Sequence, residues 1–415
     1  MFQKIFKLSL NLLTIMDYGK IGFKCGLEIH QQLSGKKLFC DCPAINSDKK
    51  PDVRIKRELR AVAGETGIVD AAAKHEMKKH RTYIYVGNTE DTCLVEFDEE
   101  PAHPMNKEAL TTAVVVSQLL NAKIVDDIQV MRKTVVDGSN VSGFQRTALV
   151  GYGGYIDTSL GKVRISSICI EEEAAQKLKQ EKDFVTYKLD RLGITLIEIA
   201  TDVDVKTPEH AKECAEKLGM ILRSTGKVRR GLGTIRQDVN ISIKGGARTE
   251  IKGFQDLKSI PKVIEKEIKR QQELIKKDKK ISMEVRKAEP DFSTTFLRPM
   301  PGSARMYPET DVCSVKPEIK TVKIELLSDK ARRFEKQFKL SADIAMKLVK
   351  SETSDDFEIF ARKYKKLKPA YLIELLLGYK KELLRDFKPC EPSKISKKHI
   401  EIVLSALNNS EISKD

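Results

Sequence analysis

Glu28 and His30 lie two residues apart in Gly26-Leu27-Glu28-Ile29-His30, where apolar and ionisable residues alternate at the period of a β-strand. Successive side chains of a strand point to opposite faces, so Leu27 and Ile29 can anchor a core while the carboxylate and the imidazole share the other face. That pair suits a divalent cation or a phosphate-bound cation; the simpler reading is an amphipathic strand with a solvated polar face. Thr234 to Ile243 repeats the pattern, with Val239, Ile241 and Ile243 on one face and Asp238, Asn240 and Ser242 on the other. After Lys244-Gly245-Gly246-Ala247, the residues Arg248, Glu250 and Lys252 alternate with Thr249 and Ile251. A three-residue loop, Gly245 to Ala247, sets Ser242 opposite Glu250 and Asn240 opposite Lys252. A two-residue loop would set Glu250 opposite Ile241. The hydrophobic pattern therefore selects the three-residue register and a polar face bearing Asp238, Glu250, Arg248 and Lys252.

Two further acidic stretches carry the same implication. Lys162 to Ile170 reads as a strand running into Glu171-Glu172-Glu173-Ala174-Ala175, where a helix start is expected because carboxylates favour the positive end of its dipole. Adjacent carboxylates repel unless a cation is near. After the turn Asp190-Arg191-Leu192-Gly193, Ile194 to Ala200 is an apolar strand with one acid, Glu198. Unpaired burial of Glu198 would cost several kcal/mol or force its protonation, so a metal, an arginine or a lysine is expected opposite it. Taken singly, these are a solvated helix cap and a structural ion pair. With Glu28 and His30 they point to one site.

The elements that must hold these residues are also readable. Residues from about 16 to 280 mix strands with helices, among them Asn106 to Ala122 and Pro208 to Thr225, the latter with Thr207 as N-cap and Pro208 in the first turn. Ser259 to Lys277 is expected as an amphipathic helix with Val263, Ile264, Ile268, Leu274 and Ile275 inward. From about residue 326 the chain reads as helices, with serine caps at Ser328 and Ser341. The fold class is α+β, a mixed-sheet body followed by an α-helical domain. Gly151-Tyr152-Gly153-Gly154 is a weak phosphate-loop candidate, since the P-loop lysine is missing.

Longer strings carry a family resemblance. Cys25-Gly26-Leu27-Glu28-Ile29-His30-Gln31-Gln32-Leu33, Lys37-Leu38-Phe39-Cys40-Asp41-Cys42-Pro43 and Asp137-Gly138-Ser139-Asn140-Val141-Ser142-Gly143-Phe144-Gln145-Arg146-Thr147 are the first. Leu196-Ile197-Glu198-Ile199, Arg248-Thr249-Glu250-Ile251-Lys252 and Arg298-Pro299-Met300-Pro301-Gly302-Ser303-Ala304-Arg305-Met306-Tyr307-Pro308-Glu309-Thr310-Asp311 follow. From about Met16 to the C-terminus the chain resembles the family that unites the B and E subunits of glutamyl-tRNA(Gln) amidotransferases, above all the archaeal E subunits.

The resemblance implies a glutamine-synthetase-like catalytic cradle over residues 16–325 and a helical domain over 326–415. It implies that an insertion domain of relatives is absent near 276–288 and that their tail domain is absent. It implies ATP-dependent conversion of Glu-tRNA(Gln) to Gln-tRNA(Gln) through a γ-glutamyl phosphate, with ATP and Mg2+ as cofactors. By resemblance, His30, Glu171 or Glu172, and Glu198 would hold one Mg2+, and Glu28, Asp238 and Glu250 a second. Arg248, Lys252 and Asn240 would serve the nucleotide phosphates; Glu28, His30, Glu198, Arg248 and Lys252 form the catalytic set. The chain has no amidase signature of serines and lysine and no Cys-His glutaminase pair, so ammonia must come from a partner. The resemblance names that partner as the asparaginase-like D subunit of the amidotransferase, and a separate tail fragment is a further expected partner. The competing reading is a catalytically inert tRNA-binding or assembly subunit.

Composition bounds these readings. The chain has 415 residues, a formal net charge of +15 and a pI near 9.2, which suit a polyanionic partner such as RNA. Lysine-rich stretches such as Lys363-Tyr364-Lys365-Lys366 would bind phosphates in a salt-dependent way. Eight scattered cysteines and no secretory pattern argue against a disulfide framework and for a reducing, cytoplasmic setting. There is no membrane-spanning run, and residues 1–15 read as an extension or a mistaken start. Cys40, Cys42 and Cys93 are three of the four ligands a tetrahedral zinc would need. By resemblance to the B subunits, Glu96 stands where a fourth cysteine is often found. Reduced, partly buried thiols are therefore expected, with structural Zn2+ the alternative. His75, His80 and His103 lack ligand spacing.

Overall fold

The strand alternation produces one large sheet in the computed structural model, which describes residues 16–60, 67–69, 71–254, 256–300, 306–320, 323–386 and 395–413. The chain forms two units, dividing between Val322 and Lys323. The expected extension at residues 1–15 lies outside the described residues. Among the described residues no helix is long and apolar enough to cross a membrane.

The first unit runs β1 (Lys24–Gln32), β2 (Val53–Arg57), α1 (Ala71–Met77), β3 (Thr82–Gly87), α2 (Lys107–Leu119), β4 (Lys123–Ile124), β5 (Val130–Thr134) and β6 (Phe144–Thr158). It continues through β7 (Gly161–Glu172), β8 (Gln176–Gln180), β9 (Phe184–Lys188), β10 (Thr195–Thr201), α3 (Pro208–Ser224), β11 (Ile235–Ser242) and β12 (Thr249–Lys252). It closes with α4 (Ser259–Lys276), β13 (Glu284–Ala288), β14 (Thr294–Pro299) and β15 (Met306–Pro308). The large sheet has the order β14-β13-β12-β11-β1-β10-β7-β6-β5-β15, with β4 added to β6. β1, the earliest strand described, is thus central. It is antiparallel to β10 and β11, with His30 opposite Glu198 and Glu28 opposite Asp238.

Helices cover one face. Leu27 and Ile29, Ile168 and Ile170, Ile197 and Ile199, and Val239 and Ile241 join one apolar core with Val116 of α2, Leu218 of α3 and Ile264 of α4. Burying each such side chain contributes roughly 1.5–3 kcal/mol, so the pattern that buries them leaves Glu28, His30, Glu198 and Asp238 on the opposite face. α3 has the expected cap, Thr207 accepting from the His210 N–H at 3.1 Å. In α4, Val263, Ile264 and Ile268 point inward as expected, but Leu274 is only half-buried and Ile275 is exposed. Ile260, Glu267 and Gln271 take inner positions instead, because the last turn runs past the packed surface.

Three local expectations are corrected. Glu171 to Ala175 does not start a helix. β7 continues to Glu172 because both of its edges are paired, to β6 and to β10. Beyond it Glu173 N–H donates to Ile194 O and Ala175 N–H to Ser139 O, which leaves no helical bonding. The β11–β12 hairpin pairs Asn240 with Glu250 and Ile241 with Thr249, two residues away from the expected register. Gly246 N–H donates to Ile243 O at 2.9 Å, so the turn sits at Ile243–Gly246 and pairing resumes only at Thr249. A slip of two preserves the faces, and the polar groups stay together. The third correction is Gly151 to Gly154, which lies within β6 rather than in a phosphate-binding turn. A Cβ on Gly154 would sit 2.4 Å from Leu120 O, so this glycine lets the strand approach the end of α2.

A second sheet, β2-β3-β9-β8, places three tyrosines together. Tyr83, Tyr187 and Tyr85 donate their hydroxyls to the successive carbonyls of Val136, Asp137 and Gly138 at 3.1, 2.9 and 2.9 Å. Gly138 has φ +86°, and a Cβ there would meet the Tyr83 ring at 2.1 Å, so neither backbone nor space accepts another residue. This clamp fixes the start of the segment leading to Gln145 and Thr147.

The second unit consists of α5 (Leu327–Phe338), α6 (Ala342–Lys350), α7 (Ser354–Lys363), α8 (Pro369–Asp386) and α9 (Lys397–Asn408) around Phe334, Leu348, Phe357, Phe360, Leu372 and Leu404. Ser341 caps α6, accepting from Ile344 N–H at 3.4 Å. Ser328 does not cap α5, which begins at Leu327 with Leu326 in the cap position.

Candidate functional site

On the sheet face opposite the helices, β1, β7 and β10 bring His30, Glu171 and Glu198 together, one ligand atom of each lying within 4.8 Å of the others. His30 Nε2 is 3.2 Å from Glu198 Oε2. Lys133 on β5 reaches over β6, its Nζ 2.5 Å from Glu171 Oε1 and 3.7 Å from Glu198 Oε2. Thr147 and Gln145 on β6 donate to Glu171 at 2.6 and 3.2 Å. Burial pulls the His30 pKa down, but the Glu198 hydrogen bond and charge outweigh it and raise it above the ordinary 6.5. For Glu198, burial is outweighed by His30 and Lys133, which hold it below the carboxylate range. Glu171 is raised by burial and by the Glu198 charge.

Across β1, the Glu28, Asp238 and Glu250 oxygens form a second group within 4.8 Å. Lys252 Nζ bridges Asp238 Oδ2 and Glu250 Oε1, at 2.5 Å from each. Burial, then the charges of Glu250 and Glu198, raises the Glu28 pKa, so the two groups are electrostatic neighbours. Burial lowers the pKa of Lys252, but Asp238 and Glu250 reverse this and raise it. Asn240 donates to Glu28 at 2.9 Å and accepts from Arg248 Nε at 3.0 Å. Arg248 is half-exposed and 3.9 Å from Glu28. Ligands of an octahedral Mg2+ at ~2.1 Å lie ~3 to ~4.2 Å apart, so either group can close on one ion by small side-chain adjustments.

Glu172, an alternative to Glu171, is not in this site. Alternation turns it to the other face, where Arg146 donates to it through its backbone N–H at 3.1 Å and pairs with it at 3.4 Å. Arg146 also meets Glu309 at 2.6 Å, and Glu309, itself held near 2 against burial by Arg132 and Arg146, pairs with Arg132 at 2.5 Å. Glu173 pairs with Arg236 at 2.8 Å, so each of the three adjacent acids has its own cation. Sequence reasoning missed Lys133, Gln145, Thr147 and Glu309 as site or supporting residues. The last three lie inside quoted motifs, which is a usable signal. Lys133 sits in a five-residue strand without one.

Cys40, Cys42, Cys93 and Glu96 form a separate set within 4.8 Å. Glu96 fills the ligand position left open by the three thiols, with its Oε1 2.8 Å from Cys40 Sγ and 3.2 Å from the fully buried Lys37 Nζ. Its Oε2 accepts from the Cys93 N–H at 2.8 Å. Three thiols and a carboxylate fit a tetrahedral zinc donor set. His103 stays outside, exposed and paired with Glu100 at 2.8 Å.

Comparison with known proteins bears on the family of the chain. Residues 23–323 match the family model of the GatB/GatE catalytic domain. A Methanocaldococcus jannaschii protein, named as the E subunit of glutamyl-tRNA(Gln) amidotransferase, is 37% identical, with 96% of this chain and 86% of that protein covered. Proteins of the same name from Methanosarcina acetivorans and Pyrobaculum arsenaticum are each 36% identical, with 96% of this chain covered and 85% and 88% of theirs. The alignment to the first runs over 542 positions, more than the 415 residues here, so that relative holds residues within the matched span that this chain lacks.

Proposed function

The chain belongs to the GatB/GatE catalytic-domain family, and on that premise we propose that it is the kinase and transamidase subunit of a glutamyl-tRNA(Gln) amidotransferase, in a short form that lacks the insertion domain of its relatives. The observation that carries this reading is the pairing of two cation-sized groups, His30–Glu171–Glu198 and Glu28–Asp238–Glu250, on adjacent strands of one sheet face. The large mixed sheet with its helices on one side is compatible with a glutamine-synthetase-like cradle.

A carboxylate does not react with ammonia at useful rates, so the glutamyl side chain on tRNA is activated first. Its oxygen attacks the γ-phosphorus of ATP, ADP leaves, and ammonia then attacks the acyl carbon and expels phosphate. Both partners of the first step are anions. His30, Glu171 and Glu198, and Glu28, Asp238 and Glu250, would hold Mg2+, which when bound would supply the neutralising charge. Lys252 and Arg248 face the phosphates, and Asn240 keeps Glu28 and Arg248 in register. Ammonia comes from a partner, the asparaginase-like D subunit. Glu-tRNA(Gln) is the substrate, and the lysine-rich second unit is suited to hold it. The Cys40–Cys42–Cys93–Glu96 set fits a structural Zn2+ and takes no part in the chemistry.

The test supplies ATP, Mg2+, Glu-tRNA(Gln) and hydroxylamine, which traps an acyl phosphate as its hydroxamate. Hydroxamate and ADP in equal amounts, dependent on the glutamylated tRNA, are expected. Intact tRNA binding with no ADP would overturn the reading in favour of the inert assembly subunit.

A further inference from the structure

In each acidic group a lysine ammonium lies against the carboxylates that would ligate a divalent cation. Lys133 Nζ touches Glu171 and approaches Glu198, at 2.5 and 3.7 Å; Lys252 Nζ lies 2.5 Å from both Asp238 and Glu250. In each group the ammonium rests against two of the three side chains that would ligate an ion. A divalent ion and an ammonium repel, and the same carboxylate oxygens cannot serve both fully.

Taking the two groups as cation sites, we propose that Lys133 and Lys252 are resident counter-ions that a divalent cation must displace, and that the displaced ammonium groups move to the phosphates of the nucleotide. Cation binding and phosphate binding are then coupled through the lysines. The carboxylates sit on strands paired on both sides, whereas each lysine carries its charge on a flexible four-carbon stem. The side chains of Lys133 and Lys252 are 14% and 31% exposed, so both keep some contact with solvent. Lys37 is the contrast: its side chain is 0% exposed against Glu96, with no direction in which to retreat. A lysine suits this exchange better than an arginine, whose planar fork would clamp a carboxylate through two bonds. The coupling is reciprocal: a phosphate that draws the lysine away tightens the cation site, and the cation that expels the lysine tightens phosphate binding.

The test measures Mn2+ affinity by electron paramagnetic resonance on the full chain, alone and with a non-hydrolysable β,γ-methylene analogue of ATP. Without nucleotide, Lys133→Met and Lys252→Met should each bind Mn2+ at least about tenfold more tightly at one site, while Lys133→Arg, which clamps the carboxylate, should bind it more weakly than wild type. With saturating Mn2+, each methionine variant should bind the analogue about tenfold more weakly. Glu198→Gln and Glu250→Gln are the controls, and thermal melts verify folding. Weakened Mn2+ binding in the glutamine variants, with unchanged or weaker binding in folded methionine variants, overturns the exchange and leaves the site reading standing. Unchanged Mn2+ binding in the glutamine variants overturns the site reading and the exchange with it.

Discussion

The two acidic groups on the sheet face differ in whether one hairpin supplies two of their members and in the donors they offer. Glu28, Asp238 and Glu250 join one strand to a neighbouring hairpin and offer oxygen alone. His30, Glu171 and Glu198 draw on three strands separated by more than a hundred residues between the first two, and they include a nitrogen. The first arrangement is a hard, all-oxygen site in which one hairpin supplies Asp238 and Glu250 and a strand more than two hundred residues earlier supplies Glu28. The second is mixed and depends on the global register of β1, β7 and β10. A mixed site has a titratable imidazole among its donors and is more exposed to protons, so the two should fail in different ways.

The largest effect should come from Glu198→Gln. It removes the acid that bonds to His30 and neighbours Lys133, and ADP formation should fall by about a thousandfold or more, with tRNA affinity nearly unchanged because the loss is felt in the transition state. Glu250→Gln should cost about a hundredfold, since Glu28 and Asp238 remain beside Lys252. Rapid-quench measurement of ADP compares the two, and equal losses would erase the distinction drawn between the groups.

Acidification should separate them next. His30 must be neutral to ligate, and its pKa lies above 6.5, so as pH falls the mixed site weakens first, beginning above that value. The all-oxygen site weakens later, as Glu28, raised above 4.5, takes up a proton. Mn2+ titrations from pH 8 to pH 5 should show one affinity falling before the other. A simultaneous fall would mean that His30 is not a ligand.

Smaller effects test what supports each group. Gly138→Ala should destabilise the first unit by about 2–4 kcal/mol, from a positive φ and a clash with Tyr83, and it acts through the segment that carries Gln145 and Thr147 to Glu171. Denaturant titration reads the stability, and Mn2+ affinity should drop at the mixed site alone. Arg248→Ala should raise the nucleotide KM about threefold to tenfold and leave both Mn2+ affinities in place, because Arg248 is half-exposed and meets Glu28 only at 3.9 Å.

The all-oxygen group was the more legible of the two in the sequence, for a physical reason. Strict alternation in β11 and β12 ties Asp238, Asn240, Glu250 and Lys252 to one face in either register, because the expected and observed pairings differ by two, so the error did no harm. The mixed group needed information that pattern does not hold. Reading Glu171 as a helix start hid the alternation that separates it from Glu172, and only pairing with β6 and β10 decides which acid turns to the site. Lys133 was illegible because its charge arrives from two strands away on a flexible stem. Glu96 could be placed opposite the thiols by motif, yet its distance to Cys40 depends on how two loops close, which no local propensity encodes.

The central position of β1 has a consequence for how the protein is made. Glu28 pairs with Ala200 on one side and Asp238 on the other, so neither partner exists when β1 leaves the ribosome. At synthesis rates of about 5–20 residues per second, some 170 to 210 residues take roughly ten to forty seconds to follow. For that interval Leu27 and Ile29 are exposed on a strand with two open edges, the condition that invites pairing with other nascent chains. Slowing translation between β1 and β10 lengthens that interval and should lower the yield of folded protein, and a chaperone that covers β1 should restore it.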